Sequence, residues 1–66
     1  MKNTIKVERA KKNITQEDLA KALEVSRQTI NAVETGKFVP STLLALKLSA
    51  YFKLTVNQLF ELEKHD

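Results

Sequence analysis

Cysteine and tryptophan are absent from this chain, and glycine, proline, methionine, tyrosine and histidine occur once each. Without cysteine there is no disulfide and no thiolate chemistry. One glycine cannot build a glycine-rich phosphate loop. The only histidine, His65, is next to last. Glu61 and Glu63 alternate with it in a tail that offers no preorganised geometry, so no metal site is expected. These absences argue against an enzyme and against a cofactor. Long hydrophobic runs are missing too. The most apolar stretch, Thr42 to Leu54, is interrupted by Lys47, Ser49 and Lys53, so no membrane span is expected. With no disulfide and no signal-peptide pattern, the expected compartment is the cytoplasm.

Sixty-six residues, 42% of them apolar, allow one domain over 1–66 with a small core. A chain of this size buries only about 60% of its unfolded surface, so stability is expected to be modest. A dimer interface is the remaining route to more burial. The net charge is +3 and the pI about 9.4, which leans toward an anionic partner. The charge is unevenly spread. Residues 1–14 carry five bases and one acid, residues 15–36 two bases and four acids, and residues 37–53 three bases and no acid. The last twelve residues carry one base and three acids, a tail expected to point away from an anionic partner.

Between the two basic segments, Gln16 to Thr35 (QEDLAKALEVSRQTINAVET) reads as two short helices joined by a tight turn. Leu19 and Leu23 are four apart, and Ile30 and Val33 three apart, so each pair lies on one helical face. Ala20 is small where the second helix must cross the first closely, and Ser26 is a good N-cap for that second helix. The outward residues after the cap are Arg27, Gln28, Thr29, Asn31 and Ala32, types that can read the edges of DNA bases. The stretch resembles the helix-turn-helix of phage Cro and C-type repressors, the XRE-like family. The likeness continues through Arg9, Thr15-Gln16, Glu34, Gly36-Lys37 and Pro40-Ser41 and covers nearly the whole chain. It implies an all-α, five-helix, lambda-repressor-like DNA-binding domain, optionally with a short terminal β-strand pair. It also implies an Arg9–Glu34 ion pair locking the first helix to the third. Two positions depart from the family pattern. Glu8 stands where an apolar residue is usual, and Glu24 where many members have glycine for a positive φ.

Met1 to Asn3 is expected to be loose or a short edge strand. A helix over 4–12 should bury Ile5, with Val7 and Ala10 partly covered. Thr15 caps the next helix, with Asp18 in the capping-box position. The third helix runs from about 27 to 35 and stops at Gly36. Phe38 is expected to anchor the following loop to the core. Ser41 caps a fourth helix, 42 to about 53, with Leu44, Ala45, Leu48 and Phe52 inward. Leu43, Leu46, Ala50 and Tyr51 widen its apolar face beyond one stripe. Thr55 caps a short fifth helix, and Gln58 completes a second capping box. Val56, Leu59, Phe60 and Leu62 add more apolar surface than so small a domain covers. Part of 43–62 is therefore assigned to a dimer interface, namely Leu43, Leu46, Tyr51, Val56, Phe60 and Leu62. Lys21, Lys47, Lys53 and Lys64 are expected to be solvated.

In this motif the start of the second helix enters the major groove. Arg27 suits guanine O6 and N7, Gln28 suits adenine N6 and N7, Asn31 can reach a base or a phosphate, and Ala32 can touch a thymine methyl. Phosphate candidates are Thr15 and Gln16 at a helix start, Ser26, Thr29 and Lys37, with Lys11 and Lys12 as secondary contacts. The sequence thus predicts a double-stranded DNA-binding transcriptional regulator, self-associating as a homodimer on a near-palindromic operator. Repression is what the resemblance implies. The competing reading is an antitoxin-like module. There the Leu43–Leu62 surface would cover an unknown protein partner and DNA binding would be secondary.

Overall fold

The computed structural model describes residues 1–66. Five helices run in order: α1 (Ile5–Lys12), α2 (Gln16–Leu23), α3 (Arg27–Glu34), α4 (Thr42–Phe52) and α5 (Val56–Leu59). Two short strands, β1 (Lys2–Asn3) and β2 (Phe60–Glu61), bracket them and pair antiparallel, Lys2 opposite Glu61 and Asn3 opposite Phe60. This is the five-helix, lambda-repressor-like architecture with its terminal strand pair. No helix is long and apolar enough to cross a membrane.

Three of the helix connections are the same three-residue unit: Asn13-Ile14-Thr15, Glu24-Val25-Ser26 and Lys53-Leu54-Thr55. The first residue of each takes the left-handed region, with φ of 56°, 59° and 56°. The amide of the second returns to the preceding helix: Ile14 to the Arg9 carbonyl, Val25 to Ala20 and Leu54 to Ser49, at 3.0 to 3.2 Å. That closes the helix C-terminus, and the apolar side chain of the second residue packs half-buried against the core. The third residue caps the next helix, its hydroxyl accepting from the amides of Asp18, Thr29 and Gln58 respectively. A left-handed residue other than glycine costs about 1–2 kcal/mol, and burial of the apolar residue after it offsets that cost. The end of α3 closes with the same bonds, Gly36 to Val33 at 3.1 Å and Lys37 to Ala32 at 2.9 Å. There the second residue is the exposed Lys37, with no apolar contact to offset strain, and the left-handed position (φ 78°) holds the chain's one glycine.

Ile5, Leu19, Leu23, Ile30, Val33, Leu48, Phe52 and Leu59 meet in one core to which every helix contributes. Ala20, 3% exposed, belongs to the same core. Four expectations are corrected. Phe60 is buried, 8% exposed, because a residue and its strand neighbour point to opposite faces; pairing with Asn3 sends Phe60 inward and Glu61 outward. It therefore belongs to the core and leaves the set assigned to a dimer surface. Val7 is 55% exposed and Ala10 is exposed as well. At 100° per residue Arg9 follows Ile5 onto the inner edge of α1, while Val7 falls on the opposite side. Phe38 is 51% exposed and does not anchor its loop. The loop is fastened by backbone instead, the amides of Lys37 and Phe38 both donating to the Ala32 carbonyl. Lys47 is half-buried, and its ammonium donates to the Leu23 carbonyl at 3.1 Å, closing the end of α2.

Candidate nucleic-acid interface

Helix α3 has two unlike faces. Ile30 and Val33 are 0% and 2% exposed and hold it against the core. Arg27, Gln28 and Asn31 are exposed on the other side, and Ala32 is half-buried beside them. The helix start is fixed by Ser26, whose hydroxyl accepts from the Thr29 amide at 3.1 Å and contacts the Thr29 hydroxyl at 2.8 Å. The bond between the two hydroxyls uses one hydroxyl hydrogen and leaves the other free to donate. At α2, Thr15 and Asp18 form a reciprocal capping box, with 3.0 Å bonds each way. These bonds hold the Asp18 carboxyl below the usual aspartate range, the backbone amide of Thr15 being the largest cause. What the two helix starts still offer an anion is a free hydroxyl hydrogen, their first free amides and their partial positive charge.

A polar chain fixes α3 from behind. The Arg9 guanidinium donates to both oxygens of Glu34, at 2.6 and 3.1 Å, and to the Ile14 carbonyl at 2.9 Å. The Glu34 side chain is 5% exposed and that of Arg9 15%. The ion pair raises the guanidinium pKa still further, chiefly through its hydrogen bonds to Glu34. Gln16 of α2 then donates its side-chain amide to Glu34 Oε1 at 3.3 Å and to Asn31 Oδ1 at 3.2 Å. One network therefore joins α1, α2 and α3 and ends on a side chain of the exposed α3 face.

At the far end of α3, Lys37 is exposed just past the turn at Gly36. Lys11 bonds the half-buried Glu8 at 3.1 Å, which accommodates a carboxylate where the family places an apolar residue. Lys12 lies over the Tyr51 ring, 5.6 Å from its centre. Sequence reasoning missed two residues that hold this surface. Asn3 donates its side-chain amide to the Val33 and Glu34 carbonyls, at 3.0 and 3.4 Å, closing α3 from the N-terminal strand. Lys47 does the same service for α2. Both reach partners more than twenty positions away, and no local pattern signals them.

The candidate dimer residues do not form one cluster. Val56 and Leu62 line a shallow groove of about 430 Å³ with Met1 and the edge of Phe60. Leu43 lines a different groove, of about 260 Å³, with Val25 and Phe38. Leu46 is 57% exposed on the outer side of α4. Tyr51 packs edge-on against Phe52 beneath Lys12.

Two helices in this crossing, the second with a buried apolar edge and an exposed polar one, define a helix-turn-helix DNA-binding domain. A family model described as Helix-turn-helix matches residues 5–59, and the chain belongs to that family, in its XRE-like branch. It is 53% identical over 60 residues to an HTH-type transcriptional regulator of Methanocaldococcus jannaschii, with 91% of each chain covered. It is 42% identical over all 66 residues to the HTH-type transcriptional regulator YgzD of Bacillus subtilis, covering 100% of both. It is 39% identical over 56 residues to the HTH-type transcriptional activator BcrR of Enterococcus faecalis, of which it spans 28%. Its function class is DNA-binding transcription regulation.

Proposed function

We propose that the protein is a homodimeric, sequence-specific repressor of a near-palindromic operator. The observation that carries this is the exposed Arg27–Gln28–Asn31 face of a helix clamped to the core by Ile30, Val33 and the Arg9–Glu34 pair. A rigid helix presenting planar donors and acceptors is what base-edge reading in a major groove requires. Arg27 reads guanine and Gln28 adenine, and Ala32 supports a thymine methyl. Lys37 and the first amides of α2 and α3 grip the flanking phosphates, the amides of Thr15 and Thr29 being already used in caps. Lys11 and Lys12 add charge at the margin. Two copies related by a twofold axis set their α3 helices about 34 Å apart, one turn of DNA. The second copy is joined through apolar residues of α4 and the C-terminal segment, the exposed Leu43, Leu46 and Leu62 and the half-buried Tyr51 and Val56, with Leu62 77% exposed. Binding over a promoter then blocks it.

Selection of the purified protein on a random duplex library at two salt concentrations tests the reading. An inverted repeat with half-sites one helical turn apart is expected, together with a dimer by sedimentation. A reporter driven by a promoter overlapping that site should fall in output when the protein is expressed. Binding that is salt-sensitive but enriches no sequence would overturn the specific reading. A monomer on a single half-site would overturn the dimer, and a rise in reporter output would overturn repression.

A further inference from the structure

The network behind α3 has a direction. Glu34, ionised against Arg9, can only accept hydrogen bonds. The Gln16 side chain must therefore turn its NH2 group, not its oxygen, toward Glu34. That same NH2 has a second hydrogen, which goes to Asn31 Oδ1 at 3.2 Å. The oxygen of Asn31 is thereby held toward Gln16, and its NH2, on an exposed residue, has no partner within the protein. Asn31 has both a donor and an acceptor by chemistry, yet the fold ties the acceptor to Gln16 and leaves the donor free.

We infer that Asn31 is a donor-only specificity determinant, its polarity set from the core by Arg9, Glu34 and Gln16. This rests on the DNA-reading function proposed above and deepens it. The two-bond contact of an asparagine with adenine needs its oxygen to accept from N6 while its NH2 donates to N7. Although the oxygen keeps a second lone pair, its bond to Gln16 holds it toward α2, which disfavours that contact. The matching base edge is one with acceptors alone: guanine, through O6 and N7, or thymine, through O4. Gln16 is then a positioning residue. Its side-chain donors are spent within the protein, so its own grip on a phosphate is confined to its backbone amide.

The experiment is the library selection run with the wild-type protein, Asn31→Ala, Gln16→Leu and Asn31→Asp, with folding checked by circular dichroism. The base pair at which Asn31→Ala loses preference identifies the contact. At that position the wild type is expected to favour guanine or thymine over adenine by about tenfold, the size of one good polar contact. Gln16→Leu frees the Asn31 amide to turn, and adenine should rise at that position alone, with preferences elsewhere unchanged. A merely structural role for Gln16 would lower affinity for every sequence and shift no single position. Asn31→Asp, at an exposed site with little bearing on folding, replaces the donor with an acceptor. The guanine or thymine preference should then be lost. Adenine preferred by the wild type at the Asn31 position would overturn the inference while leaving sequence-specific binding intact. So would an Asn31→Ala profile identical to that of the wild type. A wild-type protein that enriches no sequence would overturn both.

Discussion

Replacing Arg9 with methionine keeps most of the aliphatic stem of the side chain and removes only its charge and donors. Glu34, 5% exposed, would lose two guanidinium bonds and keep only the Gln16 amide at 3.3 Å, while the Ile14 carbonyl would lose its 2.9 Å donor. Breaking one side of a buried pair costs about 3–5 kcal/mol, because the charge left behind stays desolvated without its partner. A domain of this length holds roughly 3–10 kcal/mol in total, so the variant should lose a third or more of its stability and melt tens of degrees lower. Replacing both partners with methionine removes the stranded charge and should recover much of the loss. Urea unfolding followed by circular dichroism, at one fixed protein concentration, measures all three. The midpoint should fall for Arg9→Met and partly return in the double variant, with the slope unchanged. An Arg9→Met protein within about 1 kcal/mol of the wild type would refute the reasoning, since that is how a solvent-exposed pair behaves. A double variant less stable than the single one would refute it as well.

Other consequences follow from the connections and the surface. Glu24→Gly and Lys53→Gly should each raise stability by about 0.5–1 kcal/mol, the relief of left-handed strain exceeding the entropy glycine adds to the unfolded chain. Asn13→Gly should change little, since asparagine tolerates that region; an equal gain there, read by thermal melting, would contradict the account. The Asp18 carboxyl has its pKa lowered in the folded state, so its contribution is present above the ordinary aspartate value and lost as pH falls below about 4. Asp18→Asn should therefore show a weaker fall in urea midpoint between pH 5 and about 2, and an unchanged profile would count against the capping box. Arg27→Ala should cost about 1–3 kcal/mol of DNA affinity and relax preference at one base pair. Lys37→Ala should weaken all sequences alike and lower the slope of log affinity against log salt by about one; equal slopes would remove its phosphate contact.

Much of this molecule is legible locally. The unit of left-handed residue, apolar residue and hydroxyl cap recurs three times, and its caps at Thr15, Ser26 and Thr55 read directly from the sequence with their partners three positions on. The i, i+4 and i, i+3 spacing of Leu19 with Leu23 and Ile30 with Val33 fixes which side of α2 and α3 is buried. Since the polar face of α3 is the complement of that side, the exposed Arg27, Gln28 and Asn31 are legible too. Phe38, Val7 and Phe60 were not, because hydrophobicity says that a side chain gains by burial but not whether the chain passes near enough to bury it. Phe38 follows a turn whose backbone bonds already fix the loop, and Phe60 changes sides because a strand partner from the other end of the chain sets its register.

The sequence by itself determined the helices, their ends, the face of α3 that meets solvent and the class of partner it suits. These depend on interactions within a few residues, which spacing and side-chain type express. Only the tertiary structure decided how that face is aimed and polarised. Asn3 closes α3, Lys47 closes α2, and the chain from Arg9 through Glu34 and Gln16 ends on the side-chain oxygen of Asn31. Each of those bonds spans distant positions, and the direction of an amide is set by the neighbours that the fold brings to it rather than by the residue's own chemistry.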